Sequence, residues 1–372
     1  MEERYIACMI CHAMGDTIGY KNSDWEFPNE QTVRGRIEKK LYEFIYLGGI
    51  NYVPGKGWRI SDDTILHMKT AKALLEEFKS LNSFGNILVK HYLDALKQFD
   101  KEGHEYRMPG LTTIRNLVKL SKGDKWNKLS YNFHEGGSGA SMRSSCIGLA
   151  YHGKKRREKL IQMAIESSRV THNSAIGYLG GVVAALFTAY AIENIDIKKW
   201  PHMLMDLFKH GTIGNIIKKL NRDITEYEKD RHVFIDKWHR YILDKFDDEG
   251  NVISRRLSKN LIWRSQYYMD NYGYIGYVPY KKKPVANIFS GSGGDDSVII
   301  AYDCLLDSEK SWEKLVIYSM LHSGDTDTTG CIAASWYGAI YGFGELPLHL
   351  LKNLEYKKEL ENIGKQLYKK YY

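Results

Sequence analysis

The stretch AIGYLGGVVAALFTAYAI, residues 175–192, carries no charged side chain over 18 consecutive positions. This length is at the lower limit for a helix that crosses a bilayer, so a membrane span is one interpretation. A helix that is apolar on all sides is also typical of the centre of a large helical domain. Three glycines, two tyrosines, one threonine and the lack of a basic flank favour the second interpretation. We therefore predict a buried core helix and no membrane association.

Apolar residues elsewhere in the chain also recur at helical spacing. Residues 65–78 and 351–367 each place apolar side chains three or four positions apart, with charged residues between them. Strict alternation is rare, so we expect little β-sheet. The seven prolines are spread out, and no repeat or low-complexity linker marks a domain boundary. The sequence predicts a single all-α domain over 1–372, in which the charged and aromatic region 222–284 forms helices and a long loop on the rim.

The overall composition limits the classes of partner. The 372 residues are 43% hydrophobic, enough for a large core, and carry a formal net charge of +8. A positive charge can suit a phosphate-bearing ligand or nucleic acid. Because the lysines are scattered and no nucleic-acid motif is present, we predict a solvated lysine-rich surface and no nucleic-acid partner. Five cysteines fit a reducing cytosol better than a disulfide framework, and the N-terminal stretch has no signal segment, so we expect a cytoplasmic protein.

An acidic cluster stands at the predicted start of one helix, in RISDDTILHM (59–68). Ser61 has the side chain of a good N-cap, and Asp62 and Asp63 fall in the first turn. Carboxylates in this position interact favourably with the helix dipole. Taken alone, the cluster is explained better by helix capping than by a functional site.

A second acidic cluster, HSGDTDTTG (322–330), precedes a long uncharged segment. It resembles the start of a calcium loop, but the twelfth position is Trp336 instead of a bidentate glutamate. Asp325, Asp327 and Thr328 again stand at a loop-to-helix junction. If the two junctions met, their oxygen ligands would suit hard divalent cations such as Mg²⁺. Two such ions about 3.5–4 Å apart form a recognised catalytic arrangement.

Several motifs resemble those of the ADP-ribosylglycohydrolase family and occur in the same order over nearly the whole chain. They are GDTIGY (15–20), SDDT (61–64), HEGGSGASMR (134–143), THNSAIGYLGG (171–181) and GDTDTTGCIA (324–333). The chain looks most like the ADP-ribosylarginine hydrolase branch, because YKNSDWEF (20–27), AYD (301–303) and SWYGAIYGF (335–343) are also similar to segments of those enzymes. The region 222–284 is the least similar.

The resemblance implies an all-α orthogonal helical bundle with two Mg²⁺ ions, or Mn²⁺ as a substitute, at the base of a cleft. Carried over by position, Ser61, Asp62 and Asp63 would bind one ion. Asp325 and Thr328 would bind the other, and Asp327 would lie between them. Glu26 falls where the family has an acidic residue near the metals, although it also fits an ordinary surface glutamate after a buried tryptophan.

The resemblance also implies a substrate site. The diphosphate and distal ribose would be lined by Gly136, Gly137, Ser138, Gly139 and Met142, with the backbone amides of Gly137, Ser138 and Gly139 as donors. His172 would lie beside the ribose, although a structural histidine at a helix start fits equally well. Ser290 and Gly291, in the glycine-rich loop 289–296, would border the cleft.

The activity implied is hydrolysis of the bond between C1 of the distal ribose and an arginine guanidinium nitrogen. The partners would then be mono-ADP-ribosylated proteins and ADP-ribose, and we expect the chain to act as a monomer. Asp62, Asp63 and Glu26 are the catalytic candidates, with Asp63 or Glu26 accepting a proton from water. Two alternatives stay open: hydrolysis of another linkage, such as ADP-ribosylserine or poly(ADP-ribose), and a catalytically inactive ADP-ribose-binding protein.

Overall fold

Helices dominate the protein, and the prediction of an all-α fold is confirmed. The computed structural model describes residues 1–26, 32–253, 260–273 and 290–372, with the backbone alone at 275–278 and 283–286. In this part the helices are α1 (Glu2–Tyr20), α2 (Val33–Tyr46), α3 (Asp62–Leu75), α4 (Leu81–Glu102), α5 (His104–Arg107), α6 (Leu111–Ser121), α7 (Ser145–Ala150), α8 (Arg157–Arg169), α9 (Ala175–Ile192), α10 (Trp200–Lys209), α11 (Thr212–Leu220), α12 (Ile224–Lys245), α13 (Leu261–Tyr272), α14 (Asp296–Ser308), α15 (Trp312–Met320), α16 (Thr326–Tyr341) and α17 (Lys357–Tyr371).

The apolar stretch that indicated the fold class forms the core helix α9. All its residues are buried, and it packs against α7, α8, α12 and α16. The Trp336 indole of α16 donates a hydrogen bond of 3.1 Å to the carbonyl of Ala184. In the described part of the chain α9 is the one helix long and apolar enough to cross a membrane, and it lies wholly inside the protein. The predicted buried helix is therefore present.

The region between α11 and α14 differs from the prediction in two ways. Its helix α12 packs directly on α9, so the region is not confined to the rim. Part of the predicted loop is an antiparallel hairpin of β1 (Ile275–Val278) and β2 (Lys283–Ala286), with Ile275 opposite Ala286. Valine, isoleucine and tyrosine favour such extended pairing, and a four-residue strand is too short for periodicity to reveal.

Buried ion pairs attach this region to α14. Lys245 Nζ of α12 lies 2.7 Å from a carboxylate oxygen of Asp303 and 2.7 Å from one of Asp307. Arg264 of α13 pairs with the same two carboxylates, and the Tyr241 hydroxyl donates to Asp303 at 2.9 Å. Two cations against two anions leave this buried cluster balanced, so removing any one member would leave a buried charge uncompensated.

The apolar face predicted at 351–367 is divided between two elements. A short 3₁₀ helix covers Leu348–Asn353, and α17 begins at Lys357. Tyr356, with φ of 53°, turns the chain between them. Leu351, Ile363 and Leu367 are buried, so the periodicity identified the buried face but missed the break.

A close backbone contact between two helices involves glycines of α1 and α16. A Cβ added at Gly15 would lie 2.3 Å from the carbonyl oxygen of Gly330, and one added at Gly19 would lie 2.1 Å from the carbonyl oxygen of Thr326. Both distances are far below contact distance, so these two helices touch through their backbones. The start of α16, where the second acidic cluster lies, is thereby held against α1.

We expect Gly19→Ala to lower the free energy of unfolding by about 1–3 kcal/mol or more, because the added methyl must push two helix backbones apart. Urea unfolding followed by circular dichroism measures this. Gly214→Ala in α11 is the matched control, since a Cβ there would meet its nearest atom at 3.7 Å. The control should be neutral or stabilising, as alanine is the better helix former. An equal loss in both variants would contradict the proposed backbone contact.

Candidate metal centre and ligand cleft

The N-terminus of α3 presents Asp62 and Asp63 to a cleft. Ser61 is the N-cap, and its hydroxyl accepts a hydrogen bond of 3.1 Å from the Asp63 amide. Serine caps and acidic first turns both favour a helix start at this point. Capping and presentation of the two carboxylates are thus achieved by the same residues.

A buried carboxylate of α1, that of Asp16, accepts hydrogen bonds from residues at the start of α3. Asp16 Oδ2 accepts hydrogen bonds from the Thr64 amide at 3.1 Å and from the Thr64 hydroxyl at 2.5 Å. Asp16 also accepts from the Ser61 amide at 3.1 Å. Sequence reasoning assigned Asp16 no role, although its motif GDTIGY was recognised. A lone carboxylate at the end of an apolar run is the signal that marks it.

The N-terminus of α16 presents the second cluster. Asp325 is the N-cap, and its carboxylate accepts a hydrogen bond of 3.4 Å from the Thr328 amide. Asp327 Oδ1 accepts from the same amide at 2.9 Å. Buried Lys40 of α2 donates from Nζ to the carbonyl of His322 at 2.7 Å, which ties the turn before α16 to α2.

Tertiary structure brings the two clusters together. Asp62, Asp63, Asp325 and Asp327 all line one cleft. The Cys331 thiol of α16 donates a hydrogen bond of 3.4 Å to Asp63 Oδ2 of α3, which links the two helices directly. The two acidic helix N-termini therefore meet in one place.

The donor atoms at this place fit divalent cations. Carboxylate oxygens of Glu26, Asp325 and Asp327 lie within 4.8 Å of one another. Glu26 Oε2 is buried, with no hydrogen-bond partner among the described residues. A buried carboxylate oxygen without a donor is costly unless a cation satisfies it. A set of ligands made only of oxygen suits Mg²⁺ or Mn²⁺, so the residues present agree with the predicted ions.

The electrostatics of the centre also favour binding of a divalent cation. Burial, followed by the charge of Asp327, raises the pKa of Glu26, Asp62, Asp63 and Asp325 well above their usual values. Without a cation these carboxyl groups therefore keep their protons to a higher pH than exposed carboxyl groups do. A bound divalent ion favours the ionised forms and would displace those protons.

The cleft has a volume of about 420 Å³, within the usual range for small-molecule sites. The predicted residues that line it are Glu26, Asp62, Asp63, Gly137, Ser138, Gly139, Met142, His172, Asp325, Asp327 and Thr328. A second cavity, between α12, α13 and α14, has only about 30 Å³ and holds no more than one or two waters. The acidic cleft therefore has room for a nucleotide-sized ligand.

Some predicted residues do not line the cleft, and some lining residues were not predicted. Ser61, Gly136, Ser290 and Gly291 are buried or set back from the described lining, and their roles stay predictions. The unpredicted lining residues are Met108, Gly110, Leu111, Thr112, Thr113, His134 and Ser292. No motif marks the segment from Met108 to Thr113, whereas Ser292 belongs to the recognised glycine-rich loop.

One predicted contact is wrong. The Ser138 amide donates a hydrogen bond of 2.8 Å to the carbonyl of Ser292, so it is not a donor for an anion.

His172 is 3% exposed, and its Nδ1 lies 2.8 Å from the Thr171 hydroxyl. Burial, with the charge of Arg143 added, lowers the pKa of His172 well below its usual value. The ring in the cleft wall is therefore neutral.

Fold and cleft together define an all-helical protein with an acidic centre suited to divalent cations. The family model described as ADP-ribosylglycohydrolase matches residues 1–372. The chain therefore belongs to the ADP-ribosylglycohydrolase family, a family of glycohydrolases that act on ADP-ribose. The resemblance found in the sequence motifs is confirmed.

Individual relatives of the chain support this family assignment. A protein of Acanthamoeba polyphaga mimivirus named as a candidate ADP-ribosyl glycohydrolase is 38% identical over 362 residues, covering 94% of this chain and 67% of its own. ADP-ribosylhydrolase ARH1 of Dictyostelium discoideum is 35% identical over 383 residues, covering 98% and 94%. A solved structure titled an ADP-ribosylglycohydrolase-related protein complex has a TM-score of 0.57 at 18% identity, covering 100% of this chain and 99% of its own. At that identity the solved structure supports the fold alone.

Proposed function

We propose that the chain is a Mg²⁺-dependent hydrolase that removes mono-ADP-ribose from protein arginine. The bond cleaved joins C1 of the distal ribose to a guanidinium nitrogen. The observation that carries the proposal is the meeting of two carboxylate-bearing helix N-termini in a cleft also lined by the loop 137–139. The arginine linkage is supported by the motifs shared with the ADP-ribosylarginine hydrolase branch.

The metal would be held by residues of both helix starts. Asp62 and Asp63, with Ser61, would hold one ion, and Asp325, Asp327 and Thr328 would hold the other. Bound Mg²⁺ ions lower the pKa of a water molecule and stabilise negative charge on nearby oxygens. Because the Ser61 hydroxyl oxygen has two lone pairs, its use as a helix cap leaves one for a cation.

The chain's own carboxylates would serve the glycosidic bond cleavage. Positive charge grows on the ribose ring as the bond to the guanidinium nitrogen breaks, and a carboxylate-rich wall opposes that charge. Glu26 Oε2, buried and without a donor among the described residues, is suited to accept a proton from the attacking water. Asp63 is the second candidate, held by the Cys331 thiol. The guanidinium group of the substrate departs as a neutral guanidine. Because guanidine is a strong base, it then takes up the proton lost by the attacking water, so no strong general acid is required.

A panel of defined substrates tests this function. With Mg²⁺ present, we expect kcat/KM for an ADP-ribosylarginine peptide to exceed that for an ADP-ribosylserine peptide or poly(ADP-ribose) by at least ~10²-fold. Chromatographic release of ADP-ribose gives the rates. Faster release from serine or from the polymer would overturn the arginine specificity. Binding of ADP-ribose without release from any substrate would show an inactive binding protein.

A further inference from the structure

One short segment touches both halves of the site. The carbonyl of Ser290 accepts a hydrogen bond of 2.8 Å from the Asp325 amide, at the metal-binding helix start. The carbonyl of Ser292 accepts one of 2.8 Å from the Ser138 amide, in the predicted ADP-ribose loop. The Gly294 amide donates one of 2.8 Å to the carbonyl of Gly136 in that loop. Residues 290–294, which we call the tether loop, therefore bridge the two halves.

A single carboxylate shapes the tether loop. Asp296, fully buried in the first turn of α14, accepts hydrogen bonds from the Gly291 amide at 2.6 Å and from the Gly293 amide at 2.7 Å. These two amides flank Ser292, so the carboxylate fixes the curvature of the segment between them. Gly291 has φ of 96°, a conformation that glycine adopts without strain.

The tether loop has no room to move independently of its neighbours. A Cβ at Gly324 would lie 2.0 Å from the carbonyl oxygen of Ser290, and a Cβ at Gly294 would lie 2.4 Å from that of Ile176. The backbone of the loop is thus in contact with the turn before α16 on one side and with α9 on the other. A change in the curvature of the loop is passed on to Asp325 and to Ser138.

We propose that Asp296 is a positioning residue that holds the metal half-site at 325–328 and the loop 136–139 in one fixed arrangement. The identity of the ligands in this inference rests on the proposed function. Asp296 does not line the described cleft, so it acts through the tether loop and not by contact with the ligand. Asp296 ends the glycine-rich loop 289–296 but belongs to neither half-site.

Asp296→Asn is the direct test. Asparagine keeps the shape but has one acceptor oxygen, so its amide group must face a backbone N–H and one of the two bonds is lost. We expect the dissociation constants for Mg²⁺ alone and for ADP-ribose to increase by at least ~10-fold each. Isothermal titration calorimetry measures both without turnover.

The neighbouring residue supplies a matched control. Asp295 is also fully buried, but its carboxylate contacts Lys237 Nζ at 2.6 Å and the Asp296 amide at 2.9 Å instead of the loop amides. Asp295→Asn should lower the melting temperature while both dissociation constants stay within ~2-fold of wild type. Equal weakening in the two variants would show a merely structural role and overturn the inference.

The outcomes separate the inference from the proposed function. Wild type that binds neither Mg²⁺ nor ADP-ribose would overturn the proposed function and, with it, this inference. Wild type that binds both, with Asp296→Asn binding equally well, would overturn the inference alone. If Asp296→Asn does not fold, amide hydrogen exchange on the wild-type protein tests the inference instead. Mg²⁺ alone should slow exchange in 136–142 and 290–294, and slowing confined to 61–64 and 325–328 would overturn the inference.

Discussion

Asp327→Asn is expected to lower turnover of an ADP-ribosylarginine peptide by at least ~10³-fold, since a bound metal contributes several kcal/mol and each ~1.4 kcal/mol is tenfold. Asp327 is the central charge of the site. Its charge is the second cause, after burial, of the raised pKa of Glu26, Asp62, Asp63 and Asp325. Asparagine keeps the size and removes the charge, so the centre would lose one of the carboxylates that would hold the metal.

Chromatographic release of ADP-ribose measures this loss, with Mg²⁺ saturating. Asp62→Asn should behave in the same way, because it removes a carboxylate from the opposite helix start. Asp248→Asn, at an exposed position outside the cleft, is the matched control and should keep wild-type activity. Near-normal turnover in Asp327→Asn would remove the basis for assigning a metal centre to these residues.

Metal removal is expected to have an effect of similar size. EDTA should reduce turnover by at least ~10³-fold, and added Mg²⁺ should restore it, because bound Mg²⁺ would lower the pKa of the attacking water. The protein in EDTA and the protein in Mg²⁺ can also be compared by a measurement that does not depend on turnover. Mg²⁺ binds the folded state, so it should raise the melting temperature of the protein. Activity that is indifferent to chelation would contradict the proposed mechanism.

The Mg²⁺-induced rise in melting temperature should increase with pH between about 6.5 and 8. In the metal-free protein, burial raises the pKa of Asp16 to about 7 and that of Asp62 and Asp63 well above their usual values. The unfolded chain, whose aspartates titrate near ~4, binds fewer protons in this window. Stability without metal therefore falls as the pH rises through the folded-state pKa values.

Mg²⁺ should remove most of this loss, because it replaces the displaced protons. Histidines of the unfolded chain titrate near ~6.5 with and without the metal, so their contribution cancels in the Mg²⁺-induced rise. Melting curves in EDTA and in saturating Mg²⁺, at several pH values, give the result. A rise in melting temperature that is constant or shrinks as the pH increases would contradict the electrostatic account of the centre.

Local chemistry of the sequence was enough to predict a large part of this protein. The uncharged run at 175–192 predicts a core helix because a helix that is apolar on every side must be buried on every side. Ser61 and Asp325 mark helix starts because an N-cap side chain satisfies backbone amides only two or three residues away. The residue types of both acidic clusters predict oxygen ligands for a hard cation without any knowledge of the fold.

Tertiary structure decided everything that depends on contacts between distant segments. Three hydrogen bonds of the site join residues from separate elements. They are those from Cys331 to Asp63, from Thr64 to Asp16 and from the Ser138 amide to Ser292. Periodicity and capping rules describe interactions within one element, so they carry no information about such pairs. The two acidic clusters share a cleft because glycine backbones hold α1 against α16, and because Asp16 on the same helix holds the start of α3.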